Sequence, residues 1–128
     1  MIAKRFEDLI FWQKSRELTK LVHTATRKPE FRKDFGLKEQ VQRSCVSVMS
    51  NVAEGFGRGG NSEFIQFLFV AKGSLSEVKS QIYIALDLNY IASSEFKKAY
   101  EMTEEISRLI NSFIKSLKNT ARKGLKID

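Results

Sequence analysis

Arg43-Ser44-Cys45-Val46-Ser47-Val48-Met49-Ser50-Asn51-Val52-Ala53-Glu54-Gly55, a glycine turn, and then Glu63-Phe64-Ile65-Gln66-Phe67-Leu68-Phe69-Val70-Ala71-Lys72-Gly73-Ser74-Leu75-Ser76-Glu77 decide the fold. On the near side of the glycines, Leu37, Val41, Cys45, Val48 and Val52 recur at steps of three and four. On the far side Phe64, Leu68, Ala71, Leu75, Val78 and Ile82 do the same. Such steps line one face of an α-helix. Gly55-Phe56-Gly57-Arg58-Gly59-Gly60 separates the two patterns, and a turn this short sends the second helix back antiparallel to the first. Asn61 or Ser62 is the expected N-cap of the returning helix, with Glu63 placed to face the helix dipole.

Two more seams flank this hairpin. Upstream, Phe11, Leu18, Val22 and Ala25 form a helical stripe that ends where Pro29 blocks continuation. Downstream, Phe96, Thr103, Ile106, Ile110, Phe113 and Leu117 form another, after a cap at Ser93 or Ser94. The helix before the glycine turn should open just after Gly36. Steps of three and four on four successive segments are the seam of near-parallel packed helices. The expected fold is therefore all-α, an antiparallel up-down-up-down four-helix bundle over residues 1–120, with a loose basic tail over 121–128.

Composition agrees. The chain has 128 residues, enough for one domain with a real core, and a single proline, so long helices are permitted. Its most apolar run, Phe67-Leu68-Phe69-Val70-Ala71, stops at Lys72, too short to span a bilayer. The one cysteine, Cys45, excludes an intrachain disulfide. With no secretory leader apparent, a cytoplasmic protein without membrane association is expected.

Beyond the seams, two helices carry additional apolar residues. Val46, Met49, Ala53 and Phe56 form a second strip about 100° round from the seam of their helix. Ile65, Phe69 and Tyr83 lie off the seam of the next one. A helix in a lone small bundle needs one broad stripe, so these seven residues are the expected subunit interface of a homo-oligomer; a wide intrachain core is the competing reading. Ser47, Asn51 and Glu54 form a polar strip on the same helix as the first set, expected to fix helix register or a subunit contact. Gly73-Ser74, mid-helix, is expected to admit another backbone closely, since glycine there costs about 1 kcal/mol relative to alanine.

No residue set spells out a reaction. The glycine turn lacks the lysine and hydroxyl residue of a phosphate-binding loop and follows a helix rather than a strand. His23, the only histidine, has no Cys, Asp or Glu at ligand spacing, so no metal or other cofactor is expected. Cys45 sits on an apolar seam and resembles a small core residue more than a nucleophile. Glu101, Glu104 and Glu105 lack the Glu-x-x-His partners of a di-metal bundle and belong to a solvated face. The expectation is a protein that is not an enzyme.

Charge is better organised. The formal net charge is +7, a balance that favours polyanionic partners, RNA or DNA. In an up-down-up-down bundle the N-terminus, the glycine turn and the end of the fourth helix share one pole. There Lys4, Arg5, Arg58, Lys115, Lys118, Arg122, Lys123 and Lys126 gather, the expected phosphate-contacting residues. At the other pole Arg27, Lys28, Arg32, Lys33 and Lys38 are diluted by Glu30, Asp34 and Glu39. A solvated tail, or attraction to an acidic protein partner in a purely protein–protein adaptor, accounts for the same charge.

Several motifs taken together resemble a known family. They are Phe6-x-x-Leu9-x-x-Trp12-Gln13, Phe35-Gly36-Leu37-x-x-Gln40-x-x-Arg43, Ser47-x-x-x-Asn51-x-Ala53-Glu54-Gly55, Glu63-Phe64, Phe67-Leu68, Ala71-x-Gly73-Ser74 and Glu77. The chain is similar, over about residues 6 to 92, to the small four-helix-bundle proteins first described as products of intervening sequences within 23S ribosomal RNA genes. It departs from them in the basic run Arg27-Lys28-Pro29-Glu30-Phe31-Arg32-Lys33, where many members are acidic. The resemblance implies a four-helix bundle able to assemble as a ring-shaped homopentamer. Relatives in diversity-generating retroelements are basic accessory variability proteins that bind nucleic acid and partner a reverse transcriptase.

Overall fold

Four long helices, packed as an antiparallel bundle, make up most of the computed structural model, which describes residues 3–122 (side chains to 120). They are α1 (Ile10–Ala25), α3 (Phe35–Gly57), α4 (Asn61–Asp87) and α5 (Ser93–Arg122). A 3₁₀ turn over Phe6–Asp8 precedes α1, and a five-residue helix α2 (Pro29–Lys33) crosses between α1 and α3. Each long helix packs against two neighbours, in the cyclic order α1, α3, α4, α5. Successive helices run antiparallel, so the up-down-up-down path stands.

The seams behave as their spacing requires. Val41, Cys45, Val48 and Val52 of α3 and Leu68, Ala71, Leu75, Val78 and Ile82 of α4 are buried, as are Leu18, Val22, Ile106, Ile110 and Leu117. Thr103, the polar member of the α5 seam, is also fully buried; its hydroxyl donates to the Tyr100 carbonyl at 2.6 Å, which removes the cost of an unpaired group. Cys45 is wholly enclosed, and burial pushes its thiol up to about 12, so it stays protonated and inert.

Helix ends differ from expectation in detail. Pro29 starts α2 rather than a loop, because the first helical position needs no N–H. α3 begins at Phe35, before Gly36, since the Asp34 carboxylate accepts the Leu37 N–H at 3.1 Å and caps the helix. α4 begins at Asn61, so its N-cap is Gly60 rather than Asn61 or Ser62. Ser93 is already helical in α5, where the Glu95 carboxylate accepts the Ala92 N–H at 2.7 Å. In the glycine turn only Gly59, with φ +82°, needs the left-handed region.

The close backbone approach is also elsewhere than expected. A methyl added at Gly73 would meet nothing within 4 Å, whereas one at Gly55 would fall 2.6 Å from Cβ of Phe67. Gly55 is thus the glycine that lets α3 and α4 converge, while Gly73 lies open on the outer face of α4. Ser74 beside it turns inward, buried, with its hydroxyl 2.8 Å from that of Ser47.

The candidate basic pole and assembly faces

The 3₁₀ turn, the glycine turn and the later part of α5 meet at one end of the bundle. Phe6 packs edge-on against Trp12 with ring centroids 5.0 Å apart, fastening the N-terminal segment to α1. The Asp8 carboxylate accepts the backbone N–H groups of Lys4 and Arg5, each at 3.2 Å, and so fixes their backbone. Ala3, Leu9 and Phe11 share a surface cleft with Leu109, Ser112 and Ser116 of α5, so Lys4 stands near the α5 stretch that carries Lys115. Lys4, Arg5, Lys115 and Lys118 are all exposed, and none of the four forms an ion pair among the described residues. The Lys118 ammonium also sits 5.4 Å from the Phe69 ring centroid.

Arg58 belongs to the same pole but is engaged. Its guanidinium bonds the Glu54 carboxylate at 2.7 Å and approaches that of Glu63 at 3.7 Å. It also lies over the Phe67 ring at 5.2 Å. The bond to Glu54, more than its charge, raises the Arg58 pKa further above its ordinary value. A phosphate would have to compete with two carboxylates here, so Arg58 is the weakest described member of the set. Arg122 ends α5, but its side chain lies outside the described residues, as do Lys123, Lys126 and the expected tail.

The polar strip divides. Asn51 donates to the Ser47 carbonyl at 2.8 Å and hydroxyl at 3.0 Å, and Ser47 meets Ser74 across the helix pair. This chain of bonds ties α3 to α4 in one register. Glu54 is not part of it, because its position turns outward to Arg58. Nor are two of the three α5 acids simply solvated, although Glu101 is exposed as expected. Glu104 holds Lys79 of α4, and that bond keeps its carboxyl below the usual range. Glu105 lies 3.4 Å from the Lys14 ammonium of α1. The two acids lace α5 to both neighbours.

The expected interface residues fall on two separate faces. Thr19 of α1 donates to the Met49 sulfur at 3.3 Å, placing the Val46, Met49, Ala53 and Phe56 strip along the α1–α3 edge. Tyr83 packs against Phe96 and Tyr100 of α5, with centroids at 4.7 and 6.0 Å, and Phe69 faces Lys118. That set therefore follows the α4–α5 edge, which is opposite in the cyclic order. Val46, Phe69 and Tyr83 are each about half exposed. Phe56 and Ile65 are partly buried and lean on the chain's own core, Phe56 edge-on to Phe64 at 5.9 Å, because each stands near the turn where α3 and α4 converge. Val70 and Ile84 of α4, and Leu88 at its C-cap, are exposed apolar residues that the off-seam reading passed over; Val70 adjoins Phe69, and hydrophobicity one residue further round the helix was the available signal.

Among the described residues there is no group of three His, Cys, Asp or Glu side chains able to hold a metal ion, and no helix long and apolar enough to cross a membrane. The family model described as "23S rRNA-intervening sequence protein" matches residues 7–112. The chain belongs to that family. Its fold is shared by the crystal structure of a protein of unknown function from the S23 ribosomal protein family of Bacteroides thetaiotaomicron. That structure is 23% identical, with a TM-score of 0.75, and the match covers 83% of this chain and 99% of that one. No curated protein matches the chain. Membership of this family carries the bundle, and an identity this low adds nothing beyond the fold.

Proposed function

We propose that this protein is a non-enzymatic scaffold that assembles with copies of itself and binds RNA or DNA through phosphate contacts at its basic pole. The observation that carries the reading is the grouping of Lys4, Arg5, Lys115 and Lys118, exposed and without an ion pair among the described residues, at the same end as the converging glycine turn. Cations of this kind neutralise phosphates and displace counterions without reading bases. Assembly is supported by two different half-exposed apolar faces on opposite edges. Unlike patches on opposite sides join head to tail, and such contacts form a ring where the rotation between copies closes and a filament where it does not; a ring of five is what the resemblance to ring-forming relatives implies. Gly73, open on the outer side of α4, leaves room for a neighbouring backbone.

The test is binding to structured RNA, duplex DNA and a neutral polymer across a salt series, beside light scattering against the monomer mass of 14.7 kDa. On duplex DNA the log of affinity should fall with log salt by about 0.9 per phosphate neutralised. Replacing Lys4, Arg5, Lys115 and Lys118 by glutamine should flatten that slope and leave helicity and mass unchanged. An unchanged slope in this variant, or equal retention of the neutral polymer, would leave the protein a protein–protein adaptor. A monomer at micromolar concentration would remove the assembly.

A further inference from the structure

The pole away from the glycine turn holds a feature that neither phosphate binding nor assembly uses. Between the ends of α1, α3, α4 and α5 lies a cavity of about 200 Å³. Its walls are Val22, Val41 and Ile82, all buried, and the small side chains of Ala25 and Ala99. Phe31 of α2 closes it from the end of the bundle. That ring is 2% exposed and stacks on Tyr90 at 5.2 Å, and the Tyr90 hydroxyl donates to Asp34 at 2.9 Å, so the strap is held at both sides.

The mouth is polar and electrically balanced. Lys28 and Glu95, which line it, are bonded to one another and keep a third or more of their side-chain surface in solvent. Glu95 is further committed by the Ala92 N–H, and that bond, followed by the one to Lys28, holds its carboxyl below the usual range. Neither charge is left over for a charged guest, and the interior offers almost nothing for hydrogen bonding. Water needs two to four polar partners, whereas dry apolar cavities of about 150 Å³ accept benzene or xenon.

We infer that this cavity is a binding site for a small, neutral, apolar molecule, a single aromatic ring or a short aliphatic chain bearing at most one hydroxyl at the Lys28–Glu95 mouth. Empty apolar volume destabilises a core in proportion to its size, so an occupant should stabilise the fold.

The experiment uses the whole protein with toluene and indole as probes, and benzoate and benzylamine as charged counterparts, followed by thermal unfolding and by ligand-detected NMR. Toluene or indole should raise the melting temperature by a few degrees in a saturable manner, and the charged pair should not. Ala99→Leu, entering from α5, and Ala25→Leu, entering from α1, are plugs. Each should keep the fold and weaken probe binding at least tenfold. Absence of saturable binding by the neutral probes, binding unchanged in both plugs, or preference for a charged probe would each overturn the assignment. Loss of the fold in both plugs would also overturn it, by showing that no spare volume exists.

Discussion

The two poles of this bundle draw on similar residues and end in opposite conditions. At the glycine-turn pole, Phe11, Phe113, Phe64 and Phe56 form an edge-on chain with successive centroids 5.2, 5.6 and 5.9 Å apart. Gly55 lets α3 and α4 close tightly over it. Outside this ring stack Lys4, Arg5, Lys115 and Lys118 form no ion pair among the described residues, while Arg58 is held by Glu54 and Glu63. At the strap pole the helices are spanned by α2, the interior keeps a cavity, and two cations are paired, Lys28 with Glu95 and Lys33 with Glu30 at 3.8 Å, while Arg27 and Arg32 form no ion pair among the described residues. Net charge alone would not separate these ends. What differs is how the charges pair: of the five described cations at each pole, carboxylates hold only Arg58 at the glycine turn but both Lys28 and Lys33 at the strap.

The largest contrast should appear on removing one buried ring from each pole. Phe11→Ala should cost about 3–5 kcal/mol, because the long helices around this buried ring cannot collapse far into the void. Phe31→Ala should cost less, since a five-residue strap detaches without unravelling a long helix; urea unfolding compares them. Equal costs would mean that the strap is as integral as the helices.

Next come the two exceptional glycines. Gly55→Ala should destabilise by about 1–3 kcal/mol, because the new methyl would overlap Phe67. Gly73→Ala, in open space on an exposed helix, should stabilise the protomer by about 0.5–1 kcal/mol. If Gly73 is covered in an assembly, the same substitution should lower the mass seen by light scattering, which separates fold from association in one variant.

A smaller effect distinguishes the turns. Gly59 and Asn89 are the left-handed residues among those described, with φ of +82° and +62°. Gly59→Ala should cost about 1 kcal/mol, and Asn89→Gly should leave thermal stability nearly unchanged, because asparagine there already bears the strain. The smallest effect is on pH. The folded-state pKa of Glu95 is depressed, so its contribution is present above the ordinary glutamate value of 4.5 and is lost as pH falls through the lower folded value. Acid should therefore loosen the strap pole, and Glu95→Gln should flatten that part of the stability profile. A Glu95→Gln profile identical to the parent's would show that the pair at the mouth is not linked to folding.

Much of the bundle was legible because burial repeats with the helical period. Residues such as Leu68, Leu75 and Ile106 are forced inward by spacing alone, whatever their exact neighbours. The basic pole was legible as a set of positions once the helices were known to alternate, but not which of its members are free. Arg58 and Lys118 look alike in sequence; Glu54, one turn before Arg58, pairs with it, while Lys118 finds an aromatic ring from another helix.

By itself, then, the amino-acid order determined the helices, their antiparallel sequence and the faces they bury, because those follow from local period and short connections. Tertiary structure alone decided the rest. Contacts between separate helices chose Gly55 over Gly73, through Phe67 on the returning helix, as neither composition nor period could, since a glycine's use depends on what approaches it. They placed Val46 and Phe69 on opposite edges, because the roll of each helix is set by its neighbours. They also left a cavity beneath Phe31: packing volume is a sum over five helices, and no single stretch of sequence contains that sum.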